Sequence, residues 1–169
     1  MPFFNDQQPP SILDVEASGF GKDSYPIEVG YVDEHADRFC RLICPLDNWT
    51  HWSESAQEAH GIPRDTLFEQ GLSAVEIALL LNERLAGKTL YSDGWVVDHP
   101  WLIKLFSAVN IEPRFLLSPI ELILKEPQIE VWDDTRSKLL DQHSEKRHRA
   151  SFDAYIIQQT WIETYRLTH

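Results

Sequence analysis

Three places in the sequence bring acidic or histidine side chains together at spacings suited to chemistry. Asp14-Val15-Glu16 ends the apolar run SILDVE. Residues two apart in a strand share a face, so both carboxylates project together while Leu13 and Val15 face away. Like charges this close repel, and burying them unpaired costs several kcal/mol or forces protonation. A divalent cation relieves that cost, and hard oxygen ligands suit Mg²⁺ or Mn²⁺. The plainer reading is a strand end with both acids in water. Asp98, in GWVVDHPWL, heads a predicted helix, where an acid ordinarily serves the helix dipole. In His148-Arg-Ala-Ser-Phe-Asp153 a histidine precedes a long helix and an aspartate sits in its first turn. A cap and a second dipole partner are the plainer readings there. Taken singly, none of the three identifies a site.

The elements that must position these residues follow from hydrophobic period and turn chemistry. Residues 11–16, 27–33 and 38–46 read as strands, the last two joined by the polar turn EHAD, and three in a row suggest an antiparallel meander. From Ser73 to Leu85 apolar residues recur at three-and-four spacing, and Gly87 follows as a stop, which predicts a helix. Residues 90–92 read as a short strand, 98–109 as a helix with Pro100 in its first turn, and 135–140 as helical. Residues 114–125 are apolar without a period and are left unassigned. Residues 150–166 form the clearest helix, with Phe152, Tyr155, Ile156, Trp161 and Ile162 along one side. The expected fold class is therefore α/β with a mixed central sheet flanked by helices. One domain is expected over residues 11–169, after a loose, polar lead-in at 1–10.

Composition narrows the function classes. In 169 residues, 43% are hydrophobic and 25% charged, which excludes a disordered or collagen-like chain. No run approaches the roughly 20 apolar residues of a spanning helix, so no membrane role is expected. MPFFNDQQPP has neither a basic n-region nor an apolar segment, so no signal peptide is expected. With two cysteines and no disulfide framework, a cytoplasmic address follows. Cys40 and Cys44 lack partners at zinc-site spacing and read as buried core thiols. Lys+Arg total 15 against 27 Asp+Glu, a formal charge of −12, which argues against a protein that coats duplex nucleic acid. It does not argue against an enzyme that grips one strand end through cations. Arg136, Lys138, Lys146, Arg147 and Arg149 concentrate five of the 15 basic residues near His148.

In this order the three features resemble the DEDDh group of 3′–5′ exonucleases, the DnaQ-like branch that includes ribonuclease T. ILDVEASGF is similar to the family's first motif, and IEVGYV stands where its second strand is expected. EAHGIPRDTL resembles its His-Gly-Ile stretch, VWDDTRSKLL its Asp-Thr segment, and HRASFDAYIIQQ its last motif. The resemblance spans about residues 11–166. It departs at one place: relatives carry His-Asn four to five residues before the middle aspartate and an aromatic just before it, where this chain has Asp93, Gly94 and Val97. Asp98 is aligned with the middle aspartate through the PWLIKLF that follows, with Asp93 as the alternative.

The resemblance implies a ribonuclease H-like fold and a hydrolase that releases nucleoside 5′-monophosphates from the 3′ end of single-stranded DNA or RNA. Asp14, Glu16, Asp98 and Asp153 would hold two Mg²⁺ or Mn²⁺ ions, with Asp14 shared between them. Two such cations about 3.5–4 Å apart suit an in-line displacement. His148 would be the general base or orienter for the attacking water. Ala17, Ser18, Gly19 and Phe20 would hold the terminal nucleotide, Phe20 by stacking on its base and the backbone amides at the 3′-hydroxyl. Lys146, Arg147 and Arg149 would contact phosphates. His60 reads as a turn-shaping residue, and Trp95 and Trp101, which flank Asp98, are expected to line the cleft. The alternatives are a catalytically weak or inactive nucleic-acid-binding module on the same fold, and an unrelated acidic metal-binding domain. Sugar preference, processivity, and whether the chain forms a homodimer are not encoded in any legible residue pattern.

Overall fold

A computed structural model describes residues 7–143 and 149–169. Five strands form one sheet in the order β3-β2-β1-β4-β5. β1 (Ile12–Ala17), β2 (Pro26–Val32) and β3 (Arg38–Leu42) make the antiparallel meander expected from sequence. β4 (Thr89–Ser92) runs parallel to β1, and β5 (Leu116–Pro119) parallel to β4. The sheet is thus mixed, and β1 is its central strand. The carboxyl ends of β1 and β4 lie side by side, the place where open α/β sheets form ligand crevices.

Helices cover both faces. α1 (Glu54–His60), α2 (Arg64–Gln70), α3 (Ala74–Leu85) and α4 (Trp95–Ala108) precede β5 in the chain, and α5 (Glu126–Gln142) and α6 (Ala150–Thr168) follow it. One core layer joins Leu13 and Val15 of β1 to Ile77, Leu81, Leu102 and Phe106 of α3 and α4. A second joins Ile12 and Val32 to Ala154, Ile157 and Trp161 of α6. β1 alternates accordingly, and Asp14 and Glu16 share the α6 side with Ile12. β2 is buried at all seven positions because helices cover it on both faces. Gly30 of β2 pairs with Asp14 and lies against the backbone of Ala150 and Ser151, so a Cβ there would overlap the start of α6. That close approach brings the first turn of α6 down onto the acidic end of β1.

The structure corrects several boundaries. β3 ends at Leu42 rather than 46; Ile43 keeps a single parallel bridge to Leu72, and Pro45 has no N–H to continue a ladder. α4 begins at Trp95 rather than Asp98, because the Gly94 carbonyl accepts from both Val97 and Asp98. Pro100 therefore lies inside the helix and not in its first turn. α5 reaches back from 135 to Glu126; only Gln128 and Thr135 are buried on it, so it carries no apolar stripe for sequence to reveal. α1, α2 and β5 are additional elements of four to seven residues, too short to show a period. The 114–125 stretch divides into β5 and a 3₁₀ turn over Ile120–Ile123. Cys40 and Cys44 are free thiols but only half-buried, since β3 is the edge strand and Cys44 lies beyond its end. Among the described residues no helix is long and apolar enough to cross a membrane.

Candidate active site

A cavity of about 520 Å³ opens at the carboxyl ends of β1 and β4. Asp14, Glu16, Asp93, Asp98 and Asp153 all line it, so β1, the β4–α4 turn, α4 and α6 each contribute acid to one place. Carboxylate oxygens of Asp14, Glu16 and Asp153 lie within 4.8 Å of one another, and those of Asp14, Asp93 and Asp98 do likewise. Asp14 is common to both groups. Its Oδ2 is buried and has no hydrogen-bond partner, an orphaned anionic oxygen of the kind a cation would satisfy. The donor set is all carboxylate, which fits Mg²⁺ or Mn²⁺.

The electrostatics record the cost of this crowding. Burial, followed by the charges of Asp98, Glu16, Asp153 and Asp93, pushes the Asp14 carboxyl well above the usual range. Burial and Asp153 push Glu16 up to about 9, and the two share a hydrogen bond that needs a proton between them. Asp98, 3% exposed, is raised to about 7 by burial, against an opposing hydrogen bond of 2.6 Å that Ser92 Oγ donates to its Oδ2. Burial also raises Asp93, against the pull of Arg136. A divalent ion would restore all these groups to carboxylates.

The segment after β1 divides its labour. Ala17, Gly19 and Phe20 line the cavity. Ser18 does not: it is fully buried, its N–H donates to the Tyr25 carbonyl at 3.0 Å, and its hydroxyl accepts from Tyr25 N–H at 3.1 Å. The same hydroxyl bonds His51 Nδ1 at 2.9 Å. Ser18 thus fixes the turn and offers neither group to a ligand. Gly19 has φ +153°, and a Cβ there would sit 2.7 Å from His51 Cε1. Phe20 is 79% exposed, which rules out a local core contact, and lies 6.0 Å from Trp101 with the rings tilted 35°. Trp101 lines the cavity, whereas Trp95 stacks on His99 and donates to the Leu117 carbonyl outside it. His60 lines the wall and its Nδ1 accepts the Ile62 N–H at 3.0 Å, a turn-shaping bond as expected.

The basic residues are placed differently from the sequence expectation. Arg149 does not line the cavity. Its Nε and Nη2 donate to the fully buried Glu28 carboxylate at 2.9 and 2.6 Å, and the Ala150 N–H donates to the same group at 2.8 Å. Glu28 faces Glu16 across the β1–β2 ladder, so this clamp ties the start of α6 beside the acids. Lys146, Arg147 and His148 lie outside the described residues. Among the described residues Arg136 is the cationic side chain lining the cavity, with Nη2 3.4 Å from Asp93 Oδ2. Sequence offers Asp93 only as the alternative to Asp98 and places Arg136 only in the basic cluster. The signal available was Asp93 standing where relatives carry histidine.

Searches by sequence find neither a matching family model nor a matching curated protein. Structure comparison finds clear neighbours. Exonuclease I of E. coli, solved with a dA16 oligonucleotide, matches 94% of this chain and 43% of its own, with 12% identity and a TM-score of 0.64. S. pombe Pop2p, solved in an Mg²⁺- and Mn²⁺-bound form, matches 92% of this chain and 82% of its own, at 16% identity and a TM-score of 0.62. A 3′-exonuclease solved for recognition of the histone mRNA stem-loop matches 96% of this chain and 65% of its own, at 16% identity and 0.63. The chain thus spans less than half of exonuclease I. The mixed five-stranded sheet with helices on both faces is the ribonuclease H-like fold that these structures share.

Proposed function

We propose that this chain is a metal-dependent 3′–5′ exonuclease, a single domain over residues 11–169 with a lead-in at 1–10. It hydrolyses phosphodiester bonds at the 3′ end of single-stranded DNA or RNA and releases nucleoside 5′-monophosphates in the cytoplasm. The observation that carries this reading is the meeting of all four motif carboxylates in one cavity, beneath an exposed aromatic ring, with Asp14 Oδ2 buried and unpartnered.

Asp14, Glu16 and Asp153 would hold one divalent cation, and Asp14 and Asp98 a second. Bound there, Mg²⁺ or Mn²⁺ supplies a lowered water pKa and stabilises charge on the entering and leaving oxygens. The chain's own residues do the rest. Ser92 orients the Asp98 carboxylate, and Glu28 with Arg149 anchors the helix that carries Asp153. Phe20 and Trp101 offer a face on which any base can stack, a sequence-tolerant contact worth ~1–3 kcal/mol per base. His148, assigned from the motif alone, takes the proton of the attacking water. Lys146 and Arg147, assigned from the sequence alone, would contact the phosphates of the strand.

The test is incubation of the purified chain with 5′-labelled single-stranded DNA and RNA in Mn²⁺, Mg²⁺ or EDTA, beside Asp14→Ala and His148→Ala. A metal-dependent ladder shortening from the 3′ end and lost in both variants is expected. A folded, metal-bound wild type that leaves both oligomers intact would overturn the nuclease and leave a binding module.

A further inference from the structure

We propose that Asp93 is a fifth carboxylate ligand of the cation site, joining Asp14 and Asp98, with Arg136 as its counter-ion when the cation is absent. The inference rests on the metal-dependent reading above and makes Asp93 a ligand beside Asp98, where the motif offered it only in place of Asp98. The geometry is specific. Asp93 follows the last residue of β4, and the turn after it is pinned by two bonds: Gly94 N–H donates to Ser92 Oγ at 3.1 Å, and Ser92 Oγ donates to Asp98 Oδ2 at 2.6 Å. That turn sets Asp93 and Asp98 on one side of the cavity, with carboxylate oxygens within 4.8 Å of each other and of Asp14.

Three carboxylates at this separation carry more negative charge than one guanidinium offsets. Arg136 meets Asp93 through one contact of 3.4 Å, and its side chain is 40% exposed, the geometry of a weak ion pair. Its Nε is buried without a hydrogen-bond partner, so the guanidinium is not locked in this position by a second bond on that side. Asp14 Oδ2 likewise has no partner. A divalent ion between Asp14, Asp93 and Asp98 would satisfy that oxygen and displace the weaker cation. Arg136, released, would remain at the cavity wall to meet the substrate's phosphate.

Mn²⁺ binding to the metal-free full chain, followed by calorimetry and by the electron paramagnetic resonance of free Mn²⁺, tests this without substrate. The wild type is expected to bind two ions. Asp93→Asn should weaken the second at least tenfold. Glu121→Gln, which removes a charge that acts on Asp93 only at a distance, should change it less than threefold. Arg136→Gln should tighten the second ion, and should do so only while Asp93 is present. Equal effects of Asp93→Asn and Glu121→Gln, or the same tightening by Arg136→Gln with and without Asp93, would overturn the assignment. If Asp93→Asn fails to fold, Arg136→Gln alone decides, and unchanged affinity refutes the proposal. A folded wild type that binds no Mn²⁺ would instead refute the nuclease reading.

Discussion

Replacing Arg149 with methionine isolates the clamp that seats α6, because it removes the cation from Glu28 and keeps the aliphatic stem. Glu28 is fully buried and accepts from Arg149 Nε at 2.9 Å, Arg149 Nη2 at 2.6 Å and the Ala150 N–H at 2.8 Å. Of these three bonds Arg149→Met leaves the last, beside the Cys40 thiol that also meets Glu28. Breaking a buried pair by removing one partner costs ~3–5 kcal/mol. The Arg149 side chain is 41% exposed, so solvent already screens the pair and the low end, about 3 kcal/mol, is expected. Glu28→Gln is milder: the amide oxygen still accepts from Ala150 and Arg149 turns into water, for a loss of about 1–2 kcal/mol. The double variant removes the stranded charge and should resemble Glu28→Gln alone, a coupling of about 3 kcal/mol. Urea unfolding of the four proteins in EDTA measures all three quantities. For a chain of this size, Arg149→Met should also lower Tm by about 6–12 °C. A loss below about 1 kcal/mol in Arg149→Met, or an equal loss in Glu28→Gln, would show that Arg149 is a solvated surface charge free to meet phosphate.

Other outcomes follow from the same geometry. Gly30→Ala should destabilise by at least ~1–3 kcal/mol, since the added methyl meets the backbone of Ala150 and Ser151, and thermal unfolding reads it. Phe20→Ala should leave stability within about 0.5 kcal/mol, because the ring is 79% exposed, yet raise KM for an oligonucleotide about 5–150-fold by removing a stacking face. Glu16 and Asp98 have folded pKa values of about 9 and about 7, above their unfolded ones, so the folded metal-free protein holds protons that the unfolded chain releases. Its stability in EDTA should therefore fall as pH rises from about 5 to about 9, and saturating Mn²⁺ should flatten that slope. A flat profile in EDTA would show that the acids are solvated.

The sequence by itself determined the meander and the α3 and α6 helices, because period, β-branching and residue type are local properties written into each segment; the four candidate carboxylates were singled out by the resemblance of their motifs. Asp14 and Glu16 share a side of β1 by the strand's period of two alone. The full extent of α5 was not legible, because it buries polar Gln128 and Thr135 and carries no apolar stripe. Short elements such as β5 take their state from a neighbour, here its pairing with β4. Tertiary structure alone decided the basic residues. Nothing near Arg149 in the chain announces Glu28, 121 residues away, and nothing near Arg136 announces Asp93. A charge finds its partner by where the sheet and helices bring opposite charge together, and burial of Glu28 makes that pairing stronger than any solvent-facing role. The fold thus draws Arg149 inward as a clamp and leaves Arg136 facing the acids, an exchange of roles that linear spacing could not show.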